Sequence, residues 1–342
     1  MRAARVSQMG RRAMHIDVCN GDADGLCSVV QWRWHEPQAA QLITGLKRDI
    51  ELLERVQAGP GDKLLVCDLS MRRNRPALIR LLEAGVSVRY FDHHKVDEIP
   101  VHPLLEAHID VASNICTSLL VDRHLGGQFR AWAVVGAFGD NLTGVAEDLA
   151  VALGLSLENR RRLQSLGESI NYNAYGDSEQ DVYITPAHLY ERLLRYPDPL
   201  LFLERERIGQ ELEARRQNDL RQAQAMQPYF QDTHVSVYLL PDAPWSRRVS
   251  GSFSNVLAAA HPQHAHALLT ATASGDFVIS VRAPMAAPAG AAEFCRSFGG
   301  DGRAGAAGID QLPAHQVESF IEAFSANPWG NLPGAPGQTG SM

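Results

Sequence analysis

Short apolar runs alternate with amphipathic segments over the first hundred residues of the chain. Runs of strand character are HIDVC at 15–19, KLLVC at 63–67 and VSVRYF at 86–91, and helical patterns fall at 25–34 and 75–84. This βαβα alternation predicts an α/β fold with a parallel sheet and helices on both of its faces. Ligands of such sheets bind beyond the carboxyl ends of the strands.

An acidic residue follows each of these three strands. Asp22, Asp68 and Asp92 lie at or just past the strand ends, and His93 and His94 come directly after Asp92. Because the carboxyl ends of parallel strands meet at one edge of a sheet, we expect a single shared site. Oxygen ligands with a few imidazoles suit Mn²⁺ or Mg²⁺ better than a closed thiolate zinc site. The pattern therefore favours metal-assisted attack of water on a phosphate ester.

The second half of the chain predicts a smaller α/β unit. Long charged helical stretches occupy 187–227, and two alternating segments, 234–240 and 277–282, flank a helix at 251–260. The tail after Asn327 is rich in glycine and proline, which predicts disorder.

Composition narrows the classes of function. Of 342 residues, 45% are hydrophobic and 21% charged, and the net charge is −7, so an extended basic surface for long duplexes is not expected. The five cysteines form no CxxC pair, and no apolar run reaches the length of about eighteen residues that a membrane span needs. We expect free thiols, no membrane contact and a cytoplasmic protein.

Five motifs resemble those of the DHH phosphoesterases, a RecJ-like and oligoribonuclease-like superfamily, with their associated DHHA1 domain. In the family's order they are NGDADG (20–25), CDLS (67–70), FDHH (91–94), GDN (139–141) and FGGDGRAGAAG (298–308). The resemblance covers roughly residues 14–326.

The resemblance also implies a division of the chain. It implies a DHH catalytic domain at 14–190, a helical linker at 191–232 and a DHHA1 substrate-binding domain at 233–326. Residues 1–13 and 327–342 are expected to be disordered.

The resemblance further implies a centre for one or two Mn²⁺ ions, with Mg²⁺ as the alternative. Asp22, Asp68, His93 and Asp140 match family ligands, with Asp68 as the bridging carboxylate. Two further residues, Asp92 and His94, match positions that orient ligands or scissile groups and are the catalytic candidates. Asp24 resembles a third acidic residue of the RecJ-like branch, and we include it among the ligands.

Asn20 departs from the family pattern. It stands where the family has a first carboxylate, and an amide oxygen is a poorer, uncharged ligand. Three alternatives remain open: Asn20 coordinates weakly, Asp24 substitutes for it, or one metal binds only with substrate. Two further alternatives are that the departure marks a branch with altered chemistry and that it marks a decayed site.

The glycine-rich segment 299–308 predicts a phosphate-binding loop. Gly299 and Gly300 would let backbone amides approach a phosphate closely. Arg282 resembles an arginine that faces substrate in the DHHA1 domain, and Arg303 stands where many members carry a histidine. The resemblance therefore implies that both bind phosphate, which a guanidinium does through two hydrogen bonds.

We therefore expect hydrolysis of phosphoester bonds in a small phosphate or short single-stranded substrate. Short oligonucleotides and linear or cyclic dinucleotides are favoured. The alternatives are a polyphosphatase or pyrophosphatase on the same scaffold, and a non-catalytic nucleotide-binding protein. A homodimer stays open.

Overall fold

The structure is a computed structural model that describes residues 13–330. It divides into two compact units. The first contains the described residues up to 174 together with 184–209, and the second contains 175–183 and the residues from 210 on. The predicted disorder of the two chain ends lies largely outside the described residues.

The first unit is built on a parallel five-stranded sheet. Its strands are β1 (His15–Asn20), β2 (Gln41–Gly45), β3 (Lys63–Cys67), β4 (Ser87–Asp92) and β5 (Leu105–Ile109). They lie in the order β2-β1-β3-β4-β5, and every neighbouring pair is parallel. The predicted parallel sheet is confirmed. Strands β2 and β5 were not predicted, because their apolar runs are short.

Helices cover both faces of this sheet. They are α1 (Ala23–His35), α2 (Met71–Glu83), α3 (Thr117–His124), α4 (Arg130–Gly139), α5 (Thr143–Ala152), α6 (Leu157–Asn173), α7 (Pro186–Leu193) and α8 (Pro199–Arg205). On one face, alternate strand residues such as Val18 and Val66 form a core with Leu78 and Leu81 of α2. On the other face Trp32 of α1 contacts Phe91 of β4. The alternation of strand side chains accounts for both layers.

The second unit combines a mixed sheet with helices. Its elements are α9 (Ile208–Gln224, whose first two residues belong to the first unit), β6 (Phe230–Gln231), β7 (Val235–Leu240), α10 (Pro244–Ala260), β8 (Ala265–Ala271), β9 (Phe277–Arg282), α11 (Ala291–Arg296), β10 (Asp301–Gly302), β11 (Ala306–Leu312) and α12 (Val317–Ala326). The strand order is β10-β11-β9-β8-β7-β6, with β7 and β8 parallel. This unit is α/β, as predicted.

Trp329 corrects the predicted start of the disordered tail. Its indole packs against Phe324, with ring centroids 4.9 Å apart, and its Nε1 donates to the Phe324 carbonyl at 2.8 Å. Burial of a large aromatic ring outweighs the glycine- and proline-rich composition at this position.

Two further sequence expectations concern compartment and membrane. All five cysteines are buried and free. Between residues 13 and 330, none of the helices combines the length and the apolar character that crossing a bilayer requires.

Candidate metal centre

The carboxyl edge of the first sheet gathers the predicted acidic residues. Asp22 follows β1 and caps α1, with its Oδ1 accepting from the amide of Gly25 at 3.1 Å. Asp68 follows β3 with φ of +59°, a left-handed conformation that is uncommon outside glycine. Its amide donates to the Phe91 carbonyl at 3.0 Å. The turn thus fixes a buried carboxylate just beyond the strand end.

His93 presents one ring nitrogen to this carboxylate. Its Nδ1 lies 3.1 Å from the carbonyl of Ile115, which can only accept, so Nδ1 carries the proton. Nε2 then lies on the opposite side of the ring, 3.4 Å from Oδ1 of Asp68. A cation at this point could bind both atoms.

Asp140 lies on the other side of the same ring. It caps the carboxyl end of α4, and its Oδ2 is 3.9 Å from Nδ1 of His93. Ligand atoms of Asp68, His93 and His94 lie within 4.8 Å of one another. The structure therefore brings the predicted ligands Asp68 and His93 together, and it places Asp140 near His93 but outside the group of converging ligand atoms.

His94 and Asp92 form a hydrogen-bonded pair. Nδ1 of His94 donates to Oδ1 of Asp92 at 2.6 Å, and the other Asp92 oxygen accepts from the Met71 amide at 3.3 Å. Asp92 is fully buried, whereas the His94 side chain is 44% exposed. Burial lowers the pKa of His94, but the bond to Asp92 outweighs it and raises the pKa. His94 is thus an oriented imidazole with its Nε2 edge directed away from the pair.

Lys47 is a member of the site that the sequence analysis missed. Its Nζ donates to Oδ2 of Asp22 at 2.5 Å and to Oδ1 of Asn171 at 3.0 Å. Lys47 follows β2, and β2 lies beside β1 with Gly45 opposite Asn20. The short run QLIT, closed by glycine, was the signal that could have placed a further strand end at this edge.

Asn20 is occupied by contacts within the chain. Its Oδ1 accepts from the Asp22 amide at 3.1 Å, and its Nδ2 donates to the Lys47 carbonyl at 3.2 Å. The amide thus links the Asp22 turn to the segment that carries Lys47. A carboxylate here would have no proton to give the Lys47 carbonyl.

The pKa values of the two central carboxyl groups, Asp68 and Asp22, are shifted in opposite directions. Burial, together with the neighbouring carboxylates Asp22 and Asp24, raises the pKa of Asp68 well above its ordinary value. Burial acts on Asp22 in the same direction, but the Lys47 ammonium outweighs it and lowers the pKa. Asp22 therefore already has a counter-cation, while the negative charge at Asp68 is not compensated to the same extent.

Asp24 acts as a cap for the amino end of α3. Its two carboxylate oxygens accept from the amides of Thr117 and Ser118, each at 2.7 Å, at the start of α3. The residue is 1% exposed. These charge-assisted bonds fasten α3 to α1 and satisfy two amides that have no partner inside α3.

Asp24→Asn should therefore destabilise the fold by about 1–3 kcal/mol, because one amide of α3 would face an NH₂ group. Thermal unfolding of the metal-free protein measures the effect. A ligand role would instead leave the metal-free melting temperature unchanged and lower the metal affinity.

Arg282 in the second unit is held by neutral partners. Its Nε donates to Asn255 at 3.0 Å, and its Nη1 donates to the Ser280 hydroxyl at 3.0 Å and the Val281 carbonyl at 3.1 Å. Burial lowers its pKa. A guanidinium bonded to neutral acceptors keeps its positive charge for an anion.

Arg303 lies in the turn between β10 and β11 of the same sheet. Its amide closes the turn of this hairpin by donating to the Ala306 carbonyl at 2.8 Å. Ala306 of β11 in turn pairs with Arg282 of β9. The predicted glycine loop is therefore a hairpin that places Arg303, exposed, next to the Arg282 strand end.

The predicted phosphate-binding role of Gly299 and Gly300 needs a correction. Their amides donate to the carbonyls of Arg296 and Cys295, at 3.1 and 2.8 Å, and so close the end of α11. Gly299 has φ of +79°, and a Cβ at Gly300 would lie 2.1 Å from the Gly308 carbonyl oxygen. These glycines serve helix capping and close packing, and their amides are not directed at a phosphate.

The residues at the edge of the first sheet fit a divalent cation. Asp68 is buried beside other carboxylates that raise its pKa, and Nε2 of His93 lies 3.4 Å from its Oδ1. Carboxylate oxygens with one imidazole form a donor set for Mn²⁺ or Mg²⁺.

Comparison with solved structures identifies the fold. No protein-family model matches the chain, and no curated protein matches it significantly. A DHH domain from a protein described as a member of a family of ribosomal proteins is similar, with a TM-score of 0.62 and 13% identity over 92% of this chain and 86% of that one.

Two enzymes are similar as well. An exonuclease RecJ bound to manganese has a TM-score of 0.59 and 20% identity over 94% of this chain and 92% of its own. The pGpG-specific phosphodiesterase PggH of Vibrio cholerae has a TM-score of 0.50 and 14% identity over 91% and 97% of the two chains. These TM-scores show a shared fold, which is the one that the motifs implied: the protein has the fold of the DHH-domain proteins.

Proposed function

We propose that the protein hydrolyses phosphoester bonds with a divalent ion held by Asp68, His93 and Asp140. The observation that carries this proposal is the approach of His93 Nε2 to the buried carboxyl group of Asp68, at 3.4 Å. Asp22 lies close enough to Asp68 to raise its pKa, and the charge of Asp22 is itself compensated by Lys47. Mn²⁺ is the preferred ion, and Mg²⁺ is the alternative.

The surrounding residues have distinct roles in this proposal. When bound, the ion would polarise the phosphate and lower the pKa of the attacking water. His94, oriented by Asp92, donates a hydrogen bond or a proton to a substrate oxygen from its Nε2 edge. Lys47 keeps Asp22 ionised and adds positive charge where the phosphoryl group becomes more negative.

The substrate class that we favour is a short oligonucleotide or a linear or cyclic dinucleotide. Arg282, whose partners are neutral, and the exposed Arg303 beside its strand would bind a phosphate of such a substrate. The fold is shared with proteins described as an exonuclease and a pGpG-specific phosphodiesterase, which supports the same class.

Two observations favour a second candidate, a non-catalytic nucleotide-binding protein. The Lys47 ammonium is fixed on Asp22 at 2.5 Å, and Asn20 supplies no carboxylate. A protein of this kind would bind nucleotide without turnover.

A panel of phosphate substrates with Mn²⁺ tests these alternatives. It should contain dinucleotides, short single strands, nucleotide bisphosphates, pyrophosphate and polyphosphate. Turnover of dinucleotides or short strands, lost in His93→Gln, supports the proposal. Binding without turnover supports the second candidate, and preference for pyrophosphate or polyphosphate contradicts the favoured substrate class.

Arg303→Ala should raise KM for the cleaved substrate by about tenfold, because one charge-assisted bond contributes roughly 1.5–3 kcal/mol. Metal content should not change. Arg221→Ala, which removes an exposed arginine of α9 in the same unit, is the matched control. If both variants keep the wild-type KM, Arg303 does not bind substrate.

A further inference from the structure

A second group of side chains that could bind a metal lies on the outermost strand of the first sheet and on a neighbouring helix. Glu106 and His108 are two residues apart on the edge strand β5, so their side chains project from one face. His124 is the last residue of α3. We call these three residues the histidine cluster. None of them takes part in the proposed hydrolysis.

The ligand atoms of the histidine cluster converge. Oε1 of Glu106 and Nε2 of His108 are 2.8 Å apart, and one ligand atom from each of the three residues lies within 4.8 Å of the others. The rings of His108 and His124 have centroids 4.7 Å apart at 71°. Small side-chain rotations would bring the three atoms to one ion.

Neighbouring side chains hold these rings and the carboxylate in place. Phe91 stacks on His108 with centroids 4.6 Å apart and planes at 10°, and it meets His124 edge-on at 5.3 Å. Arg89 binds the other oxygen of Glu106 through Nε at 2.8 Å, which leaves Oε1 directed at His108. Ligands fixed by such neighbours lose less entropy when an ion binds.

Arg89 also determines which ion the cluster favours. It compensates the charge of Glu106, and its guanidinium lies 4.6 Å from the Trp32 ring centroid. With the carboxylate compensated, affinity depends mainly on the two imidazoles, and imidazole ligands suit Zn²⁺, Cu²⁺ and Ni²⁺ better than Mg²⁺ or Mn²⁺.

We propose that Glu106, His108 and His124 form a second metal site, which binds Zn²⁺ or a similar transition-metal ion with water in the open position. Glu106 and His108 are 44% and 33% exposed, so an ion reaches them from solvent. The ion would join β5 to the end of α3. Zn²⁺ should therefore raise the melting temperature of the protein.

Calorimetric titration of the full chain with Zn²⁺ tests the site. We use Asp68→Asn/His93→Gln as the background, so that the candidate metal centre is disabled. We expect one saturable Zn²⁺ equivalent in this background. Adding His108→Gln or His124→Gln should weaken it by more than about tenfold. His188→Gln, which removes an exposed histidine of α7, should leave it unchanged.

Electron paramagnetic resonance of bound Cu²⁺ provides a second measurement. Coupling to two imidazole nitrogens is expected in the background protein and to one in either histidine variant. Glu106→Gln keeps the size of a half-exposed side chain and serves if a histidine variant fails to fold. Absence of saturable Zn²⁺ binding, or affinities equal to that of His188→Gln in all three cluster variants, would overturn the proposal.

Discussion

Asp68→Asn is expected to lower kcat/KM by on the order of 10³-fold, because it removes the carboxylate that faces His93 and would hold the ion. Asparagine tolerates the left-handed conformation of residue 68, so the turn should survive. Turnover and Mn²⁺ content should fall together. Asp148→Asn, which changes an exposed residue of α5, is the control.

The same substitution should stabilise the metal-free protein at neutral pH. Burial and the nearby carboxylates raise the folded-state pKa of Asp68, so ionised Asp68 opposes folding. This penalty is absent below the unfolded pKa of about 4, where Asp68 is protonated in both states, and it is fully present once the pH has risen through the raised folded pKa. Asparagine removes this dependence, and the melting temperature at pH 7 should rise.

Lower activity together with higher stability of the metal-free variant would indicate that the charges of this site favour ion binding and destabilise the metal-free fold. If folded Asp68→Asn retained wild-type turnover and Mn²⁺ content, the assignment of Asp68 would be wrong.

Lys47→Met is expected to convert Asp22 from a compensated into an uncompensated buried carboxylate. Removing one partner of a buried ion pair costs about 3–5 kcal/mol, and the side chain of Asp22 is only 6% exposed. The melting temperature in chelator should therefore fall. Saturating Mn²⁺ should restore more of it than in the wild-type protein, because a cation can replace the ammonium.

Metal stoichiometry sharpens the test of Lys47. The wild-type protein should bind one Mn²⁺ tightly, and Asn20→Asp/Lys47→Met should bind a second, since it supplies a further carboxylate and frees Asp22. Lys63→Met, at an exposed position of β3, is the control. Two tight sites in the wild-type protein would show that Lys47 does not substitute for an ion.

The acidic strand ends were predictable because they depend on local order along the chain. Asp22, Asp68 and Asp92 each follow a recognisable apolar run, and parallel pairing brings them to one edge. Lys47 was missed because β2 has a short run that resembles a loop. Its meeting with Asp22 depends on strand order, which sequence periodicity does not specify.

Long-range contacts account for the other differences. Asp24 bonds to amides 93 and 94 positions later, and no local pattern reveals such a pair. At Gly299 and Gly300, a helix cap and a phosphate loop demand the same permissive backbone. Glycine therefore indicates a permissive backbone at these positions, but it does not indicate whether that backbone caps a helix or binds a phosphate.

Residues 175–183 belong to the second unit although first-unit residues precede and follow them. Asp181 in this segment accepts from the Arg247 guanidinium of α10, with its two oxygens at 3.0 and 3.1 Å. If the units were produced separately by dividing the gene after codon 209, Asp181 and Arg247 would lie on different fragments and their ion pair would be lost. A stable fragment of the second unit would need this segment restored, either by starting at Tyr175 or by adding 175–183 as a synthetic peptide.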